Sequence, residues 1–151
     1  MKRVGHLYET FLSNDTINLA FKRASKGKKD REIVEYCQKH QEELVQEIQT
    51  NPHISGIYKA KTVVDSSSGK ERKVLEPRFF PDQIIHHALC IAINPVLRKS
   101  EYQWSCGAIE KKGGLLASQK LRSEFNKDRR LRYYVKIDVV HYYENIDHEV
   151  L

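Results

Sequence analysis

The chain has 151 residues, of which 40% are hydrophobic and 30% are charged. This length and composition suit one globular domain with a buried core, and they exclude a predominantly disordered chain. The sequence contains no apolar run near the ~20 residues that cross a bilayer. Its first residues also lack the apolar centre of a secretory signal, so we expect a cytoplasmic protein without a membrane partner.

The balance of charges narrows the class of partner only in part. The net charge is +6, from 26 Lys and Arg residues against 20 Asp and Glu residues. Such an excess favours a nucleic acid, because phosphates are neutralised and counterions are released on binding. A basic surface that is merely solvated would give the same count, so charge alone leaves both alternatives open. Cys37, Cys90 and Cys106 form no paired metal-binding pattern, and we expect them to be buried free thiols.

The first fifty residues have the pattern of amphipathic helices. Leu7 and Phe11 begin an apolar face, and Asn14-Asp15-Thr16 offers helix caps before the next apolar residues. After a basic linker at 25–31, apolar residues recur at helical spacing from Ile33 to Ile48, which predicts one helix of several turns. Asn51-Pro52 ends that segment.

The next segment has the composition of a β-hairpin. Residues 57–64 and 72–75 are rich in β-branched, aromatic and basic side chains, and Asp65-Ser-Ser-Ser-Gly69 has the chemistry of a turn. Lys59 and Lys61 are two positions apart and would therefore share one face of a strand. The lysines suit either a binding surface or an edge protected against aggregation.

The second half of the chain returns to helical patterns before a final strand. Asp82 is expected to cap a helix that Asn94-Pro95 kinks or ends. A flexible basic loop at 105–114 precedes another amphipathic helix, with Leu115, Leu116, Leu121 and Phe125 expected on its inner side. Residues 133–137 then have the alternation of a short strand, so the whole pattern predicts an α+β fold.

Asp138 follows directly after this predicted strand. A carboxylate at a rigid strand end is an appropriate ligand for Mg²⁺, which prefers oxygen donors and takes few of them from protein. A single Asp at such a position can equally begin a turn or cap a short helix. The two interpretations are separated only by the residues that surround it.

Three blocks in chain order carry a resemblance to prokaryotic reverse transcriptases, which include group II intron, retron-type, diversity-generating and phage-defence enzymes. Residues Lys136–His148, KIDVVHYYENIDH, resemble the first catalytic motif of the palm. Residues Arg78–Leu89, RFFPDQIIHHAL, followed by Asn94–Leu97, are similar to a fingers helix. Residues Ser105–Gly114, SCGAIEKKGG, are similar to a glycine-rich basic fingers loop. The resemblance begins near Tyr58 and implies helical fingers with a basic hairpin, then the first palm strand.

The resemblance implies roles at the catalytic end of the chain. Asp138 would bind both catalytic Mg²⁺ ions, and the backbone carbonyl of Val139 would be a further metal ligand. Tyr143 would pack beneath the sugar of an incoming dNTP and exclude a 2′-hydroxyl group. Tyr142 is interpreted instead as a core aromatic residue, and Asp147 as a helix cap.

The resemblance also implies contacts with phosphates. Either Arg72 or Lys73 would bind the triphosphate, because an arginine fork and a lysine charge both suit phosphate oxygens. Arg78 would bind the backbone of the template instead. In the loop, the residues that would face the template or nucleotide are Lys111, Lys112, Gly113 and Gly114. A solvated turn is the alternative for that loop.

The implied organisation is a helical region at 1–56, fingers at 57–131 and the start of a palm at 132–151. The family also needs a second acidic block and a thumb, and the sequence contains no Asp-Asp pair. We therefore expect the chain alone to be inactive, with an RNA template, a DNA primer, dNTPs and a separate palm and thumb portion as partners. The alternatives are a non-catalytic module that binds RNA or single-stranded DNA, and a defence-associated component related to reverse transcriptases.

Overall fold

The computed structural model describes residues 3–66, 69–107, 109–142, 145–147 and 149–150. It confirms the mixed α+β class, with helices and one two-stranded antiparallel sheet in those residues. Close contacts divide the chain into one unit at 1–101 and another at 102–151. The predicted boundaries at 56 and 131 remain predictions.

The helices of the first unit are α1 (Leu7–Leu12), α2 (Asn14–Ala24), α3 (Glu32–Lys39), α4 (Gln41–Thr50) and α5 (Ile84–Leu97). Helix α5 packs against α1 and α2, and α4 packs against α2 and α3. The core that these helices enclose is apolar, and Ile17, Val34 and Ile84 are completely inaccessible to solvent. Burying these faces supplies the main stabilisation of the unit.

Two helix boundaries differ from the sequence-based prediction. The cap of α2 is Ser13, whose hydroxyl accepts a hydrogen bond from the Thr16 backbone N–H at 3.3 Å; it lies one residue before the predicted Asn14-Asp15-Thr16 caps. The single helix predicted at 33–48 is two helices, because the backbone of His40 leaves the α-helical region (φ −112°, ψ 23°). The His40 ring stacks on the Tyr36 ring, and the two ring centres are 4.4 Å apart.

The predicted hairpin is confirmed. Strands β1 (Tyr58–Val64) and β2 (Glu71–Pro77) are antiparallel, with Tyr58 opposite Pro77 and Val64 opposite Glu71. The turn is fixed by backbone hydrogen bonds from Asp65 N–H to the Lys70 carbonyl at 2.9 Å and from Gly69 N–H to the Asp65 carbonyl at 2.7 Å. Gly69 has a φ of 66°, a left-handed conformation that glycine adopts without steric cost.

Asp82 does not cap α5 as predicted. It lies in the turn Phe79–Gln83, is completely buried, and accepts hydrogen bonds from the backbone N–H and the hydroxyl of Ser55, both at 2.6 Å. Burial acts to raise the pKa of this carboxyl, but the hydrogen bonds from Ser55 and from the Arg78 backbone outweigh it and lower the pKa. Asp82 therefore joins the start of the hairpin to the start of α5.

The second unit contains α6 (Gly114–Lys127) and irregular segments in its described residues. The predicted inner side of α6 is covered only in part: Leu116 and Phe125 are half-buried, whereas Leu115 is 75% exposed and Leu121 is 49% exposed. Residues 133–137, predicted as a strand, are irregular and exposed, because the described part of the chain offers them no hydrogen-bonded neighbour. Among all described residues, no helix combines the length and apolar character needed to cross a membrane.

Candidate nucleic-acid interface

The register of the hairpin gathers three cations on one face. Side chains alternate between the faces of a strand, and directly opposed residues of an antiparallel pair share a face. Because Lys61 is opposite Val74 and Arg72 is opposite Val63, Lys59, Lys61 and Arg72 point to the same side. We call this surface the cationic face. It is the largest grouping of basic side chains that the sheet itself dictates.

Arg72 and Lys73 point to opposite sides of the hairpin, since they are consecutive in β2. Arg72 lies on the cationic face, with its guanidinium 3.6 Å from the Asp65 carboxylate. Lys73 is exposed on the other face and has no ion pair with any residue that the structure describes. The two candidates for triphosphate contact therefore cannot act on the same ligand from the hairpin, and only Arg72 has basic neighbours.

Glu76 is the acidic residue of the cationic face, and its carboxylate pairs with two basic side chains. Its carboxylate lies 2.7 Å from Lys61 Nζ and 3.5 Å from an Arg31 guanidinium nitrogen. The hydrogen bond and charge of Lys61, and then those of Arg31, lower the pKa of Glu76. Glu76 is therefore ionised at neutral pH and already paired with Lys61 and Arg31. Both contacts are partly exposed, so solvent screens them and they contribute little to stability.

Two open clefts flank the base of the hairpin. One, of about 580 Å³, is lined by Tyr58, Lys59, Arg78, Phe79 and Phe80 among others, and it holds the exposed Arg78 beside aromatic rings. The other, of about 400 Å³, is lined by Lys28, Lys61, Gln83, His86, His87 and Cys90 together with the apolar edge of β2. We call the second one the histidine cleft. Its lining residues come from the chain before the hairpin, from the hairpin itself and from the chain after it.

The histidine cleft is a site that the sequence interpretation missed. His86 and His87 are consecutive in α5, and both are half-buried. Lys28 comes from a linker that has no motif. Its ammonium donates a hydrogen bond to Gln83 Oε1 at 2.6 Å and lies 5.8 Å from the centre of the Phe79 ring. Only tertiary packing brings residue 28 to α5, so no local pattern could have revealed it.

The basic loop lies in the second unit and leads directly into α6. Lys111 is exposed and has a left-handed backbone with a φ of 63°, and Lys112 donates its backbone N–H to the Ile109 carbonyl at 3.0 Å. Gly113 accepts the first helical hydrogen bond from Ala117 at 3.0 Å, and Gly114 begins α6. The described part of the loop is therefore a turn that holds Lys111 in solvent.

The predicted metal ligands lie in an exposed, irregular segment. Asp138 Oδ1 accepts a hydrogen bond from the Val139 backbone N–H at 3.1 Å, a contact typical of a local turn. Val139 is 61% exposed. Within the described residues, no group of three or more His, Cys, Asp or Glu side chains could hold a metal ion.

The burial of Tyr142 and of two cysteines differs from the prediction. Tyr142 is 56% exposed, so its interpretation as a core residue is wrong; Tyr143 lies outside the described residues. All three cysteines are free, but only Cys37 is buried, while Cys90 is exposed and Cys106 is half-buried. Cys90 is exposed because α5 turns that side toward the histidine cleft.

No protein-family model matches this chain, and no curated protein is significantly similar to it. The likeness to reverse transcriptases therefore depends on the three motif blocks and their order.

Proposed function

We propose that this chain supplies the fingers and the beginning of the palm of an RNA-directed DNA polymerase. The complete enzyme would add dNTPs to a DNA primer on an RNA template, with two Mg²⁺ ions. The observation that carries the proposal is the order of the basic hairpin, the fingers helix, the glycine-rich loop and the acid of Lys136–His148 along one chain. Each block alone is common, whereas the ordered set is not.

The geometry of the hairpin supports a role in binding phosphates. Arg72 lies diagonally across the strand pair from Lys61, and Lys59 lies farther along the same face, so a triphosphate or a template backbone along this face would meet several positive charges. Arg72 is therefore the better candidate for the triphosphate than Lys73. Arg78, Lys111 and Lys112 would contact the template, and Gly113 and Gly114 would allow its backbone to approach.

Asp138 would contribute one carboxylate to the magnesium site, and Val139 its carbonyl oxygen. The ions would stabilise the negative charge that develops on the transferred phosphoryl group. The remaining carboxylates would have to come from residues outside this chain, because no Asp-Asp pair occurs in it. For the same reason the chain by itself is expected to extend no primer.

Primer extension tests this proposal directly. The chain is combined with a palm and thumb portion that carries the second acidic block, and is given an RNA template, a DNA primer, dNTPs and Mg²⁺. Asp138→Ala is expected to lower the extension rate by at least about a thousandfold, since the change removes a metal ligand. The matched control is Asp147→Ala, because Asp147 also caps a local turn, accepting the Glu149 N–H at 2.9 Å. An Asp138→Ala protein as active as the control would refute the assignment.

A second candidate function is a binding module for RNA or single-stranded DNA without metal chemistry. The cationic face favours it, since three cations on one surface bind phosphates whether or not a reaction follows. This function predicts binding that weakens steeply with salt and is unchanged by Mg²⁺ removal or by Asp138→Ala. A defence-associated component related to reverse transcriptases would share these properties and need a partner protein for its activity.

A further inference from the structure

The histidine cleft is the second concentration of positive charge in the first unit, and its chemistry differs from that of the cationic face. Two lysines and two histidines line it, and Glu76 is its only carboxylate among the described lining residues. That carboxylate is already paired with Lys61 and Arg31. Lys28, His86 and His87 stand on the opposite wall, and no second carboxylate is among the described lining residues. Asp82 lies outside that lining but interacts electrostatically with His86.

Lys28 is held in position for a ligand. Its ammonium is fixed by the neutral Gln83 amide oxygen at 2.6 Å, and Gln83 is fixed in turn by donating to the Pro77 carbonyl at 2.9 Å. An ammonium bound by an amide keeps its full charge and has further hydrogens to donate. Less side-chain entropy is lost when such a pre-positioned group binds an anion.

The environment of His87 is electrostatically positive. Burial lowers the pKa of His87, and the charges of Lys28, Arg23 and His86 lower it further. The other charged or titratable groups of the cleft are Lys61, Glu76 and Cys90. The neutral form of His87 is therefore favoured, because burial disfavours the charged ring and protonation would add a cation near Lys28, Arg23 and His86. An anion placed there would remove that penalty.

We infer that the histidine cleft binds a phosphate group, carried either by a free nucleotide or by an RNA strand. Lys28 and Lys61 would bind the phosphate oxygens from opposite walls, and His87 would donate a hydrogen bond from its ring. Val74, Leu75 and Pro77 provide apolar surface on which a base or sugar could lie. The site requires neither Asp138 nor polymerase activity, so it stands independently of the proposed function.

Protection of Cys90 from alkylation measures binding in the unaltered chain. Cys90 is exposed and lines the cleft, while Cys106, which does not, serves as an internal reference. The rate of modification by iodoacetamide is followed at each cysteine by mass spectrometry, with inorganic tripolyphosphate, ATP or an RNA oligonucleotide lacking terminal phosphates. We expect severalfold slower modification of Cys90 and no change at Cys106. Protection by ATP identifies a nucleotide site, and protection by RNA alone identifies a strand site.

Substitutions separate this cleft from general attraction to a basic protein. Lys28→Gln is expected to weaken protection by tripolyphosphate at least about tenfold, the effect of losing one charge-assisted hydrogen bond. Lys29→Gln removes the same charge one residue away, outside the cleft, and is expected to change it less than about twofold. Equal effects of the two substitutions, or no protection of Cys90 by any probe, would overturn the inference.

Proton uptake gives a second measurement that needs no lysine substitution. Because a bound phosphate would raise the pKa of His87, binding is expected to take up protons and to strengthen as the pH falls from 8 to about 6. Calorimetry of tripolyphosphate binding in two buffers of different ionisation enthalpy reports this uptake. His87→Gln should reduce it. Identical uptake in both proteins would exclude His87 from the site.

Discussion

The two units of this chain differ in how far their apolar side chains are buried. Residues 3–101 bury a continuous core in which Ile17, Val34 and Ile84 have no accessible surface. In the described residues between 102 and 150, by contrast, α6 buries no side chain, and Tyr133 and Ile137 are 88% and 86% exposed. Folding stability therefore resides in the first unit, and the proposed catalytic acid lies in the second.

The largest expected contrast comes from removing apolar groups in each unit. Ile17→Ala is expected to lower the free energy of unfolding by about 3 kcal/mol, because it leaves a cavity at a fully buried position. Leu115→Ala, at a position that is 75% exposed, should change it by less than about 0.5 kcal/mol. Urea denaturation followed by circular dichroism measures both. Equal losses would mean that α6 belongs to the core.

The next contrast compares two aspartates. Asp82→Ala is expected to cost about 2 kcal/mol, since it leaves the Ser55 N–H and hydroxyl without their acceptor in a buried place. Asp138→Ala removes one local hydrogen bond in solvent, and its cost should be below about 0.5 kcal/mol. The measurement is again the urea midpoint. A similar cost at both positions would show that Asp138 is structural, which would weaken its assignment as a metal ligand.

The smallest effect is the dependence of stability on pH. Since the folded-state pKa of His87 is lower than its unfolded value, the unfolded chain binds more protons near pH 6. The contribution of His87 is therefore fully present above the unfolded pKa and is lost as the pH falls through the folded pKa. Unfolding measured between pH 8 and 5 should show this loss in the unaltered chain and less of it in His87→Gln. A steeper loss in the variant would contradict the sign of the shift.

The local features of the first unit could be predicted from sequence because short-range rules determine them. The turn composition at 65–69 and the β-branched residues around it predicted both strands to within two residues at each end, and Lys59 and Lys61 share a face as expected. The broken helix at His40 and the Ser13 cap depend on details of backbone conformation that periodicity does not encode.

The candidate sites could be predicted only where their residues are close in sequence. Lys28 and Gln83 are 55 positions apart, and no repeating pattern links them. Ser55 and Asp82 are 27 positions apart, and an Asp before an apolar run is indistinguishable from a helix cap until its partner is known. Residues 133–137 have a strand pattern, but a strand requires a hydrogen-bonding neighbour that the pattern does not supply.

The pairing of Tyr58 with Pro77 has a consequence for how this protein could vary. If β2 were displaced by a single residue along β1, Arg72 would move to the surface now occupied by Lys73, away from Lys59 and Lys61. Lys73 would take the place of Arg72 beside Lys59 and Lys61, and Glu76 would leave the same face, so the shift would change which residues form the cationic face but not its number of cations. Insertions in the loop that preserve the strand pairing would leave the cationic face unchanged. The alignment of the strands is therefore constrained more strictly than the length of the loop.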